Sequence, residues 1–154
     1  MPSYTIRQAT VADAAAITRH RIEMFREMGE LTADEAVVVE SASRARLAAQ
    51  LESGEYLGWL TETSGQVVAG AGVLLHQYYP SRANPRGRPT AYILNVFTET
   101  THRGRSIATD LMLLAEDEFR RRGVSYLVLH ASQFGRPIYE KLGWQSTTEM
   151  SKML

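Results

Sequence analysis

The run Arg103, Gly104, Arg105, Ser106, Ile107, Ala108 decides how this chain is read, because a strand pattern leads into it and a helix pattern leaves it. Upstream, Ala91 to Phe97 is an apolar stretch of strand length holding Tyr92, Ile93, Val96 and Phe97, residue types that favour a pleated surface. Downstream, Ile107, Leu111, Leu114, Ala115 and Phe119 recur at helical spacing, and Arg120, Arg121, Arg122 and Gly123 supply a basic last turn and a glycine stop. The local order is strand, short basic turn, helix. The first N–H groups of such a helix lack intrahelical acceptors. With the helix dipole and two neighbouring guanidinium groups they suit a phosphate or pyrophosphate. A helix can also begin on arginine and glycine with no ligand at all, so this run alone leaves both readings open.

Outward from this stretch, the bulk composition narrows the field. At 154 residues and 44% hydrophobic, the chain has one-domain length and enough apolar content for a real core. Lys plus Arg and Asp plus Glu both number 17, so no basic excess argues for nucleic acid as a partner. Only Lys141 and Lys152 are lysines; the remaining basic side chains are arginines, whose planar forks suit phosphate and carboxylate. With no cysteine, a disulfide, a thiolate metal site and a cysteine nucleophile are all excluded. His20, His76, His102 and His130 show no metal-ligand spacing, so no metal is expected. Met1 to Thr10 has no apolar core of signal-peptide length and no run is long enough for a bilayer, so a cytoplasmic protein without membrane contact is expected.

Taken from the start, Tyr4 to Ala9 alternates as a strand, and Thr10 with Asp13 forms a capping-box pattern. The helix it opens uses Ala14, Ile17, Met24, Phe25 and Met28 and stops at Gly29, with Glu23 and Glu27 on one face. A second helix runs from Glu35 to Leu51. Tyr56 to Thr63, a turn at Ser64 and Gly65, and Gln66 to Leu75 predict a hairpin whose second arm is central. Gly70 and Gly72 in that arm mark a bulge or a close backbone approach. Pro80 to Pro89 has loop chemistry and reads either as a mobile lid or as a plain surface loop. Ser125 to Ala131 reads as a strand, Phe134 to Leu142 as a short helix, and Trp144 to Lys152 as a last strand. The sum is one α/β domain over residues 1–154 with a mixed sheet.

Two segments together resemble the GCN5-related N-acetyltransferases (GNAT). The first is the opening stretch, Arg103 to Ala108, at the position of that family's acetyl-CoA signature; Ser106 stands where its first signature glycine usually sits. The second is Ser132 to Trp144, which is similar to the family's polar residue, short tyrosine-bearing helix, and Leu-Gly-aromatic ending; Ser132 replaces the usual Asn. The resemblance implies a mixed, mostly antiparallel sheet flanked by helices and splayed between the fourth and fifth strands. It implies a cofactor site made of Val96, Phe97, Thr98, Arg103, Gly104, Arg105, Ser106, Ile107, Ala108, Thr109, Ser132 and Tyr139. Acetyl-CoA is the implied co-substrate, and a homodimer is a further possibility.

The chemistry implied is direct acetyl transfer to a primary amine of a small molecule, amino acid or peptide. The alternative is a non-catalytic acyl-CoA-binding or sensing module. Tyr139 is the candidate donor to the departing sulfur. Full proton transfer from a phenol of pKa about 10 to a thiolate of pKa about 8.5 is uphill by roughly 2 kcal/mol, so general acid and hydrogen-bond donor both remain open. A base for the amine is sought among Glu27, Glu23, Glu99 and His130, with Asn95 as an orienting group or a satisfied polar spot on the sheet. The acceptor side is expected from the first two helices and the Pro80 to Pro89 loop, with Glu23, Glu27, Met24, Phe25, Tyr78 and Tyr79.

Overall fold

The computed structural model describes residues 2–154. Its strands are β1 (Thr5–Gln8), β2 (Tyr56–Thr63), β3 (Gln66–His76), β4 (Thr90–Thr98) and β5 (Leu127–Leu129). Its α-helices are α1 (Ala14–Glu27), α2 (Ala33–Ser53), α3 (Ile107–Arg121) and α4 (Arg136–Lys141). Among the described residues the strands form one sheet in the order β1-β2-β3-β4-β5, antiparallel up to β4 and parallel between β4 and β5.

Local chemistry places the helices. The Asp13 carboxylate accepts from the Thr10 backbone N–H at 2.7 Å, which closes the expected capping box before α1. A second box, Thr32 with Glu35, opens α2 two residues before the expected start. Ser64 and Gly65, both at positive φ, make the hairpin turn between β2 and β3.

The two sheet faces bury different helices. Tyr56 and Leu60 of β2 pack with Ala14 and Ile17 of α1 and Leu47 of α2. On the opposite face Ile107, Leu111, Met112, Ala115 and Phe119 of α3 pack on Trp59, Ala69, Ala71, Val73, Ala91 and Ile93. The small Ala69 and Ala71 let α3 settle close to the sheet, and Leu111, Met112 and Phe119 have no exposed surface. Burying each such large side chain contributes about 1.5–3 kcal/mol.

Two strand expectations are corrected. Residues 144–152 form no strand: Gln145 to Glu149 is polar on both faces, Met150 is 93% exposed, and nothing in the segment alternates into a core. The Ser125 to Ala131 strand shortens to Leu127–Leu129, because β5 holds β4 only over Ala91↔Leu127, Tyr92↔Val128 and Ile93↔Leu129. Beyond Ile93 the two strands part, and β4 continues to Thr98 with β3 on one side and no strand on the other. The splay between fourth and fifth strands is therefore present.

The loop before β4 is held by its own side chains. Buried Asn84 donates to the Arg88 carbonyl at 2.6 Å and accepts from the Arg88 N–H at 3.1 Å, so the loop is a packed surface turn.

Candidate active site

A β-bulge shapes the splayed end of β4. Gly72 pairs with Leu94 and Gly70 with Phe97, so Asn95 and Val96 together face the single residue Ala71. Asn95 takes the left-handed conformation, φ 54°, which asparagine tolerates better than most residues. Its buried side chain donates from Nδ2 to the Tyr56 hydroxyl at 3.1 Å and accepts from Arg21 at Oδ1 at 2.8 Å. Burial pushes the Tyr56 phenol up to about 12, so it stays a neutral partner. Gly72 is what makes room for it: a Cβ there would overlap the Tyr56 hydroxyl and ring.

A cavity of about 180 Å³ opens where the strands part, lined by Arg21, Met24, Phe25, Met28 and Glu30 from the α1 side and by Tyr92 to Val96 from β4. Leu129, His130, Ala131, Ser132 and Tyr139 close the opposite wall. Tyr139 is buried at 8% exposure, and burial pushes its phenol up to about 12. Its ring packs close over Gly135 and lies 6.2 Å from Trp144, which itself donates to Glu116 on α3 at 2.8 Å.

At the other end of the exposed β4 edge lies the basic turn. Gly104 and Ser106 both have positive φ, 72° and 61°, and the Asp110 N–H is bonded back to the Ser106 carbonyl at 2.9 Å. The N–H groups of Ile107, Ala108 and Thr109 therefore have no intrahelical acceptor and face outward from the helix start, as anion binding requires. The Ile107 side chain itself is core, and Phe97 is buried beside His20, so both offer backbone groups only. Thr98 Oγ1 is buried without a partner in the same strand end, an unfilled hydrogen-bonding position beside the turn.

The left-handed turn at Ser106 predicts a measurable gain on substitution. Ser106→Gly relieves an L-residue cost of roughly 1 kcal/mol, partly offset by glycine's looser unfolded chain, so the melting temperature should rise by about 1–3 °C. Calorimetry checks the ligand side: nucleotide affinity unchanged within about threefold marks a backbone cradle, and a loss above tenfold marks the hydroxyl as a ligand.

The remaining expected site residues are distributed less simply. Glu27 does not face the cavity: both its carboxylate oxygens accept from Arg103, at 2.6 and 2.8 Å, and Arg103 also donates to the Thr98 carbonyl at 2.9 Å. This clamp ties α1 to the basic turn and leaves Arg105, whose guanidinium lies 5.9 Å from the Tyr4 ring, as the exposed cation there. Glu23 pairs with Arg26 on the helix surface. Ser132 accepts from the Gly135 N–H at 3.0 Å, holding the start of α4 while its own O–H stays available. His130 lines the cavity. Of the acceptor-side residues, Met24 and Phe25 line it too, whereas Tyr78 and Tyr79 are 49% and 93% exposed on the surface.

Glu99 stands apart as well, with its carboxylate 2.7 Å from Arg19 and 3.2 Å from Nε2 of buried His20. Burial pulls the His20 imidazole below its ordinary 6.5, and the hydrogen bond to Glu99 and the nearby Glu23 only partly oppose it. The unfolded chain then binds the proton more readily, so stability is full above pH 6.5 and falls as the pH drops below it. Thermal unfolding between pH 5 and 8 checks this; His20→Gln should remove that part of the slope.

Three cavity residues with polar side chains escape a reading of the sequence: Arg21, Glu30 and Tyr92. Arg21 had a signal, because it falls four residues after Ile17 and four before Phe25 and so places a charge in the apolar stripe of α1. Burial lowers its guanidinium pKa, and the cation also lies 4.6 Å from the Phe25 ring. Among the described residues no group of three or more histidine, aspartate or glutamate side chains is placed to hold a metal ion, and no helix is long and apolar enough to cross a membrane.

The family model described as an acetyltransferase (GNAT) domain matches residues 5–147. A search of curated protein sequences found no match. Among solved structures, a GCN5-related N-acetyltransferase from Ralstonia eutropha JMP134 is 37% identical, with a TM-score of 0.94 over 99% of both chains. A predicted acetyltransferase with acetyl-CoA from Clostridium acetobutylicum is 26% identical, with a TM-score of 0.88 over 99% of this chain and 96% of that one. At 20% identity, the likeness to glucosamine-6-phosphate N-acetyltransferase from Arabidopsis thaliana is one of fold, with a TM-score of 0.68 over 98% of both chains.

Proposed function

The chain belongs to the GCN5-related N-acetyltransferase family, and from that membership we propose that it transfers acetyl from acetyl-CoA directly to a primary amine at the splay of β4 from β5. The observation that carries this reading is continuity. One strand end supplies an unpaired backbone edge at 94–98, leads into a left-handed basic turn, and lies beside a cavity lined by Tyr139. These groups fit acetyl-CoA: the free N–H groups of residues 107–109 suit its pyrophosphate, and the open edge of β4 suits its extended arm, which can add to a strand.

In the step itself the lone pair of a neutral amine nitrogen forms a bond to the thioester carbonyl carbon. The C–S bond then breaks, its electron pair leaves on sulfur, the nitrogen loses one proton, and the sulfur gains one. The products are an amide and free coenzyme A thiol. Unpaired β4 N–H groups polarise the carbonyl as negative charge develops on its oxygen. Burial pushes the Tyr139 phenol up to about 12, so it stays protonated and acts as a hydrogen-bond donor to the departing sulfur, which takes its proton from solvent. His130 and Glu30, the cavity-lining groups able to accept a proton, take the amine's proton toward solvent. Glu27 instead braces Arg103, and Asn95 fixes the bulge that aims Val96, Phe97 and Thr98.

The test is acetyl-CoA calorimetry followed by thiol release with a panel of primary amines. Micromolar binding and amine-dependent thiol release are expected. Absence of binding at millimolar acetyl-CoA overturns the reading, and binding without release to any amine reduces the protein to an acyl-CoA-binding module.

A further inference from the structure

The geometry points to an acceptor that carries an anionic oxyacid group, carboxylate or phosphate, held by Arg21 together with Arg46 while its amine lies at the splay. This rests on the acetyltransferase reading above and names the substrate class it serves.

The first observation is an uncompensated charge. Arg7, Arg19, Arg26, Arg103, Arg120, Arg121, Arg122 and Arg136 each have a carboxylate within 4.0 Å, and Arg21 has none among the described residues. The other arginines without such a partner, at 44, 46, 82, 86, 88 and 105, are all exposed, where water solvates them. Arg21 alone is half-buried and unpaired. Its protein hydrogen bond goes to the neutral Asn95 Oδ1, which satisfies one donor and leaves the rest of the planar fork free. Withdrawing a cation from water without an anion is costly, and a ligand oxyanion with its own two acceptor atoms matches that fork.

The second observation is where Arg21 stands. A further cavity of about 450 Å³ lies between α2 and the sheet, and it shares Arg21, Tyr92, Leu94 and Asn95 with the cavity at the splay. Its polar wall is Arg21, Arg46, Ser43, Gln50 and His76, with no aspartate or glutamate among the lining residues. The cavity at the splay, which Arg21 also lines, has a carboxylate among its lining residues, Glu30, together with residues 92–96 of β4. An acceptor spanning both would place its amine near Glu30 and the β4 edge and its anion near Arg21 and Arg46. A simple alkylamine leaves the Arg21 fork as it stands and so gains nothing from it, which favours the anionic acceptor by difference.

The experiment compares matched acceptors by thiol release: an amino acid against the amine that lacks its carboxylate, and an amino sugar phosphate against the amino sugar. Wild type, Arg21→Met and Arg46→Ala are assayed, with acetyl-CoA affinity by calorimetry and folding by thermal unfolding measured on each. Wild type should favour the anionic member of at least one pair by 30-fold or more in kcat/KM, and that pair identifies the anion. Arg21→Met should raise KM for that member by 30-fold or more and lower its kcat/KM at least tenfold more than that of the neutral member, whatever loss the two share through Asn95. Arg46→Ala, on the helix surface, should raise the same KM three- to tenfold, and it keeps the test decisive if Arg21→Met does not fold. No anionic preference in the wild type, or equal losses for both members of a pair in the folded variants, overturns the proposal while leaving acetyl transfer standing. Failure to bind acetyl-CoA at all overturns the acetyltransferase reading and the proposal together.

Discussion

Tyr139→Phe is expected to lower kcat for acetyl transfer roughly 10- to 100-fold while leaving acetyl-CoA affinity within about threefold of wild type. The phenol is needed only as negative charge gathers on the departing sulfur, so its loss falls on the transition state and not on binding. One hydrogen bond to a charged acceptor is worth about 1.5–3 kcal/mol, which sets that range. The substitution removes a hydroxyl and keeps the ring against Gly135 and Trp144, so folding should not change. The pH dependence gives a second check. Tyr139 must stay protonated to donate, and burial holds its phenol up at about 12. Wild-type kcat should therefore not fall through pH 10, where an ordinary tyrosine ionises, and it should rise as the amine loses its proton. Steady-state rates from pH 7 to 11 measure both effects. A decline centred near pH 10 that Tyr139→Phe abolishes would show an ordinary, solvent-exposed phenol instead.

Gly72→Ala is expected to destabilise the fold by about 3 kcal/mol, lowering the melting temperature by about 6–12 °C. The added Cβ would overlap the hydroxyl and ring of Tyr56, a side chain only 3% exposed that has no open space to retreat into. Tyr56 must then move, and its hydrogen bond from Asn95 goes with it, loosening the bulge and the hold on Arg21. Acetyl transfer should fall along with stability. A double-mutant cycle isolates the cause: in a Tyr56→Leu background the same glycine substitution should cost less than about 1 kcal/mol. An undiminished cost there would place the effect in the backbone of the bulge. The neighbouring Gly70 is a milder case, since a Cβ there would meet the flexible end of Leu60 at 2.8 Å.

These two residues mark the limit of what the sequence discloses. Tyr139 was legible because it sits inside a local pattern, a short helix ended by Leu142, Gly143 and Trp144, and local patterns are written contiguously in the chain. Gly72 was legible only as a choice between a bulge and a close approach. Both hold, since the register slips between Gly70 and Gly72 while Gly72 faces Tyr56 across the strand pair. Glu27 shows the opposite case. Its position on α1 was visible, yet its partner is Arg103, 76 positions away, and that contact turns its carboxylate from the cavity to the basic turn. The last strand failed for a related reason, because a strand needs a partner edge as well as residues that tolerate extension. Beside a three-residue β5, the polar 145–149 segment has neither a ladder nor a buried face.

The sequence by itself determined the order of elements as far as α4, the Thr10–Asp13 capping box, the helical core stripe of α3, and the basic turn at Arg103 to Ala108. Each depends on spacing along the chain, and 3.6-residue and 2-residue periods survive any folding. Only the tertiary structure decided which charges are paired. It set Glu27 on Arg103, Glu99 on Arg19 and His20, and left Arg21 half-buried over Asn95 with no carboxylate beside it among the described residues. A charge's role depends on what lies within a few ångströms of it, and sheet pairing and helix packing bring those neighbours from distant parts of the chain.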